Sequence, residues 1–123
     1  PGGACEGAEM SREAAMRELF EETGIRVAQL GPCVWRRRHV WKWGDRMIDS
    51  REDYYFLRID RPALIRPVET SRLELQVIRE YRWWTAAELR AGTHEVFVPR
   101  RLPELAPAIL RGEFPARPID VGV

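Results

Sequence analysis

The sequence predicts a mixed α/β domain of the α+β kind, with helices set against a largely antiparallel sheet. Three observations carry this. Helix formers run from Ser11 to Glu22 and stop before Gly24. From Ile25 to about Ile59 the texture becomes β-branched and aromatic, broken at Gly44-Asp45. Proline-punctuated helical patterns then return after Thr85. At 123 residues, 45% hydrophobic and 32% charged, residues 1–123 read as one globular domain.

The opening "PGGACEGAEM" is a glycine-containing loop. Ser11 is placed to cap the first helix, with Glu13 in its first turn and Gly24 as the C′ stop. Ala15 and Leu19, with Met16 and Phe20 beside them, supply its apolar stripe. "VWRRRHVWKW" and "MIDSREDYYFLRI" read as two strands joined through Gly44-Asp45. A short helix is expected within Thr70 to Ile78, and a further strand at "REYRWW". Thr85-Ala86-Ala87-Glu88 is a capping box that opens another short helix. "RLPELAPAILRG" gives a last, proline-interrupted helix ending at Gly112, and residues 113–123 an extended surface tail.

Composition narrows the function. A formal net charge of +1 gives no bulk attraction for a polyanion, so no nucleic-acid polymer is expected as partner. Cys5 and Cys33 are too few for a disulfide framework, and with His39 and His94 they make no zinc cluster; no role is assigned to His94 or to either cysteine. No run reaches membrane-spanning length and no apolar leader is seen, so the expected setting is cytoplasmic and reduced, with no membrane partner. The chain opens on Pro1-Gly2-Gly3 rather than methionine, and a preceding segment is expected.

Within "RELFEETG", Glu18 has Glu21 and Glu22 as helical neighbours three and four residues on. Two such charges about 4 Å apart repel by roughly 1 kcal/mol in water and roughly 4 kcal/mol at a partly enclosed site. A cation among them would relieve that cost, and clustered hard oxygens suit Mg²⁺ or Mn²⁺. Taken alone, the same residues also describe a solvated acidic face, with Arg17 a simple i,i+4 partner of Glu21 or Glu13.

The wider spacing decides between these. From Gly3 the chain shows five residues, Glu9, seven residues, then Arg17-Glu18-Leu19-Phe20-Glu21-Glu22-Thr23-Gly24-Ile25. This resembles the Nudix hydrolase family, whose signature is G-x5-E-x7-R-E-U-x-E-E-x-G-U with U aliphatic. Every specified position matches, and chance gives such a match on the order of 10⁻⁹ per start position. The resemblance implies a Nudix-type α/β/α sandwich whose amino-terminal strand or strands are missing from this chain. It implies that Glu18, Glu21 and Glu22, with the backbone carbonyl of Gly2, hold Mg²⁺ or Mn²⁺ against a diphosphate. Arg17 would orient Glu18, and Glu18 or Glu21 would serve as general base. Glu9 would brace the loop or hold a metal-bound water, Gly3 would permit the turn and Gly24 the helix exit, Leu19 and Ile25 would pack inward, and Glu74 is a possible distal carboxylate.

The implied activity is hydrolysis of a diphosphate linkage in a nucleoside diphosphate joined to another group, X: a nucleoside triphosphate, a nucleotide sugar or a similar small molecule. Two alternatives use the same fold: a nucleotide-binding regulatory module without chemistry, and lyase or isomerase action on another diphosphate. Monomer and homodimer remain open. In "VWRRRHVWKW", period two puts Trp35, Arg37, His39, Trp41 and Trp43 on one face. That face is either a substrate surface, with Trp35 and Arg37 stacking a base and holding phosphate, or an exposed or dimer-forming strand face. Tyr54, Tyr55 and Phe56 are expected in the core, one of Trp83 and Trp84 in the core and the other free, and Arg100-Arg101 at the surface.

Overall fold

The computed structural model describes residues 1–60, 65–68, 80–92 and 94–122. They form two compact units, one from residues 1–31 and 57–83, the other from residues 32–56 and 84–123. The helix expected within Thr70 to Ile78 lies outside the described residues.

The first unit is built on helix α1, Ser11–Thr23. Its start falls one residue before the expected cap. Met10 takes the N-cap position, because the Glu13 carboxylate reaches back to accept the Met10 N–H at 3.0 Å. Its end is the expected glycine. Gly24 has φ 76° and donates its N–H to the Phe20 carbonyl at 2.8 Å. Two further helix carbonyls find donors in the segment 65–68: Val68 N–H bonds Glu21 O at 2.8 Å and Arg66 N–H bonds Thr23 O at 3.0 Å. A side chain at Gly24 would meet the Arg66 carbonyl oxygen at 2.8 Å, a second reason for glycine there. The buried helix residues are Ala14, Glu18 and Thr23, whereas Ala15, Met16, Leu19 and Phe20 are half-buried. The most enclosed side of α1 is thus the one that carries Glu18.

The second unit holds a three-stranded sheet. β1, Cys33–Trp43, and β2, Arg46–Tyr55, are antiparallel and joined through Gly44-Asp45, where Gly44 has φ 57°. The two-residue link with glycine first is the turn that fits strand twist. A register shift between Cys33 and Trp35 inserts Val34 as a bulge. Residues 80–84 form no strand, a correction to the sequence expectation: Trp83 is exposed and Trp84 packs edge-on to Phe97 at 5.2 Å between ring centres. Helix α2, Ala86–Arg90, opens on the expected reciprocal cap, with Glu88 N–H bonding Thr85 Oγ1 at 3.1 Å and Thr85 N–H bonding Glu88 Oε2 at 2.7 Å. Helix α3, Leu102–Leu110, packs against α2; Pro103 sits in its first turn, and Pro107 has no N–H for the carbonyl four residues back. The segment 113–123 is more than tail: β3, Ile119–Asp120, runs parallel to β1 beside Trp35 and Arg36, giving the order β2-β1-β3.

The core of this unit is Val34, Trp35, Ile109 and Val121, with Tyr54, Phe56, Leu102, Leu105 and Ile119 against it. Tyr54 and Phe56 thus meet the core as expected, and Tyr55 is half-buried. Each fully buried aliphatic side chain contributes roughly 1.5–3 kcal/mol. No helix among the described residues is long and apolar enough to cross a membrane.

Candidate functional site

The loop 1–9 and α1 bring the acidic residues of the first unit together around one cation, the guanidinium of Arg17. Its Nε and Nη2 donate to the two carboxylate oxygens of Glu9 at 3.0 and 3.1 Å. Its Nη1 donates to Glu18 Oε1 and to Glu21 Oε2, both at 3.0 Å, and Nη2 also donates to the Ala4 carbonyl at 3.0 Å. The Glu6 carboxylate lies 3.7 Å from Nη1. Glu9 Oε2 also accepts the Glu6 N–H at 3.0 Å, fixing the loop turn. A planar fork with five donors is what lets one side chain tie three glutamates and a backbone carbonyl.

Glu18 is the buried member, 8% exposed. Burial pushes its carboxyl above the ordinary carboxylate range; the Arg17 hydrogen bond and charge pull it back, and Glu21 and Glu22 push it further up. Gly3 makes that burial possible, since a Cβ at this position would overlap the Glu18 carboxylate. Glu9 moves the other way, held low first by the Arg17 hydrogen bond and then by the Glu6 N–H. Glu22 is turned to the loop and accepts the Gly2 N–H at 3.1 Å.

The donor set, carboxylate oxygens with a loop backbone beside them, matches in kind what Mg²⁺ or Mn²⁺ takes. Its arrangement is not a preassembled cage: among the described residues no three His, Cys, Asp or Glu side chains are grouped to hold a metal ion. Glu18 and Glu21 are engaged by Arg17, and Glu22 by Gly2.

The residues expected to touch substrate lie in the second unit. Trp35 is 7% exposed and belongs to the core, so its ring is not an open stacking surface. The bulge at Val34 explains this, because it turns both Val34 and Trp35 to the core, which strict alternation does not anticipate. Arg37 is 9% exposed, with Nη1 3.4 Å from Glu52 Oε2 and Nη2 3.0 Å from His39 Nδ1. Tyr54 donates its hydroxyl to the same Glu52 oxygen at 2.6 Å, and burial pushes that hydroxyl up to about 12. Glu52 and Tyr54 went unrecognised as partners of this face. Counting outward from the two-residue turn pairs Arg37 with Glu52 and Trp35 with Tyr54, so the signal was available. Glu74 lies outside the described residues.

The loop and helix thus gather three glutamates around one arginine in a chain of mixed α/β structure. Residues 1–105 match the NUDIX domain model, and the chain belongs to that family. Comparison with curated proteins returns no match, and neither does comparison with solved structures.

Proposed function

We propose that this chain is a Mg²⁺- or Mn²⁺-dependent pyrophosphohydrolase that cleaves the diphosphate linkage of a nucleoside diphosphate joined to another group. The observation that carries the reading is the complete signature, with its glutamates drawn together around Arg17 and Glu18 buried against Gly3. Glu18, Glu21 and Glu22, with the Gly2 carbonyl, would hold the cation. When bound, it supplies neutralisation of the diphosphate charge and a lowered pKa for a coordinated water.

This chain's own residues do the rest. Arg17 positions Glu18 and Glu21 and offsets their repulsion. Glu18 or Glu21 accepts the proton of the attacking water. Glu9 holds Arg17 from behind, Gly3 keeps the space for Glu18, and Gly24 ends the helix just past the acidic turn. Attack at phosphorus then requires positioning and electrostatic stabilisation more than covalent help.

The test is a screen of nucleoside triphosphates, nucleotide sugars and related diphosphates with Mg²⁺, reading phosphate-containing products, with Glu21→Gln as control. Metal-dependent release that the control loses supports the reading; full activity in excess chelator overturns it. A second reading is a nucleotide-binding module of the same fold without chemistry. Nucleotide binding with no product from any diphosphate in the screen would select it.

A further inference from the structure

Among the described residues, two enclosed side-chain nitrogens have no hydrogen-bond partner, Trp35 Nε1 and Arg37 Nε. They lie two residues apart in β1, hence on one face and about 7 Å apart at the backbone. Both are donors only. The other two nitrogens of Arg37 have partners: Nη1 lies 3.4 Å from Glu52 Oε2, and Nη2 contacts His39 Nδ1 at 3.0 Å. Because arginine accepts nothing, His39 Nδ1 is the acceptor of that contact, which leaves the imidazole proton on Nε2. Farther along the same face, Trp41 lies nearly parallel to His39, at 22° and 6.4 Å between centres, and both are half-buried. A buried donor without an acceptor is a standing cost to the fold, and two on one strand face are unusual unless something else meets them.

We propose that this face of β1 is a nucleobase site, in which Trp35 Nε1–H and Arg37 Nε–H donate to neighbouring acceptors on a guanine-type ring. Entry is by rotation of His39 and Trp41, which then offer their planes for stacking. The inference rests on the nucleotide reading above and names the part of the nucleotide recognised. Charge argues for a base over a phosphate: Glu52 lies against Arg37 and cancels its charge, and the indole N–H is neutral. Donor pattern argues for guanine over adenine. Along one edge guanine shows N7 and O6, both acceptors, whereas adenine sets an amino donor beside N7, which would face a donor here.

The experiment follows the tryptophan indole N–H signals of the ¹⁵N-labelled full chain, in EDTA, during titration with GMP, AMP and ribose 5-phosphate. Five tryptophans give five signals, and Trp35→Phe identifies the one that matters. Expected is a downfield shift of the Trp35 signal with GMP, at an affinity about tenfold above AMP, and none with ribose 5-phosphate. Trp35→Phe loses no hydrogen bond of the folded chain but leaves a gap in the core, so it lowers the melting temperature, keeps the circular-dichroism spectrum of the fold and weakens GMP binding about tenfold. Arg37→Lys keeps the charge beside Glu52 and removes Nε–H; it weakens GMP binding similarly while Trp35 still reports. A Trp35 signal unmoved by GMP, an equal shift with ribose 5-phosphate, or GMP affinity unchanged in both variants overturns the proposal. These probes have no diphosphate bond and meet no metal. A chain that binds GMP here but hydrolyses nothing therefore ends the hydrolase reading alone, and one that hydrolyses diphosphates with Trp35 silent ends this proposal alone.

Discussion

Arg17 grips Glu9 with two parallel hydrogen bonds, Nε to Oε1 at 3.0 Å and Nη2 to Oε2 at 3.1 Å. This is the arrangement in which guanidinium and carboxylate bind most strongly. Glu9 is held below its ordinary value near 4.5, first by that hydrogen bond. A depressed folded pKa means that the interaction stabilises the fold above the unfolded value and is lost as pH falls through the folded one. Glu9→Gln should therefore lower the melting temperature at neutral pH, with the gap to wild type closing in strong acid. Since Glu9 acts through Arg17 and not on substrate, kcat/KM should fall by roughly 10–100-fold, the usual effect of losing an outer support. Melts across acid and neutral buffers, beside steady-state rates, check both.

Glu18 carries the opposite sign. Burial, the first cause, raises its folded pKa, and Glu21 and Glu22 add to that against the pull of Arg17. The folded state then holds the proton more tightly than the unfolded chain. Stability falls as pH rises from the unfolded value near 4.5 through the raised folded value, and stays reduced above it. Glu18→Gln keeps an acceptor for Arg17 and removes the buried charge, so it should raise the melting temperature at neutral pH and flatten its dependence on pH. It should also cancel the upward shift that Mg²⁺ gives the wild type by binding the folded state. Scanning calorimetry with and without Mg²⁺ reads both effects.

Gly3 is set by space, not by backbone conformation. Its missing side chain is where the Glu18 carboxylate lies. Gly3→Ala should push that carboxylate off its Arg17 contact and cost on the order of 10²-fold in turnover, as small misplacements at reacting centres do. The fold should survive, because the displaced atoms belong to the end of a side chain. A circular-dichroism melt resembling wild type, with turnover lost, is the expected pair of results; unchanged turnover would remove Glu18 from the chemistry.

What the sequence disclosed was local. Gly24 and Gly44 mark the helix exit and the hairpin turn because each needs positive φ, and Thr85 with Glu88 marks a cap, all within a few residues of chain. Pairings between distant residues were hidden. β3 is two residues long, follows Pro118, and has meaning only because Arg36 O, more than eighty residues earlier, accepts Val121 N–H at 2.9 Å. Aromatic texture at "REYRWW" mimicked a strand, yet Trp84 uses its ring on Phe97 and the backbone of residues 80–84 stays irregular. At the acidic cluster, spacing could say that Glu18, Glu21 and Glu22 are neighbours. It could not say that Arg17 also reaches back to Glu9 and Ala4, since that depends on how the loop folds over the helix.

Glu21 and Glu22 sit side by side in α1 but are held by different partners, Glu21 by Arg17 at 3.0 Å and Glu22 by the Gly2 N–H at 3.1 Å. Each substitution to Gln should reduce turnover by roughly 10²-fold or more, within the range for losing a group that handles protons or charge. The melting temperatures should stay within about 2 °C of wild type, because the amide keeps a hydrogen-bond acceptor and like-charge crowding beside Glu18 is relieved. Calorimetric Mg²⁺ titration separates ligand from base. A cation ligand loses Mg²⁺ affinity along with turnover, whereas a general base loses turnover and keeps the metal. If both variants keep wild-type Mg²⁺ affinity, the cation is not held by this turn of the helix and the acidic cluster is a solvated surface organised by Arg17.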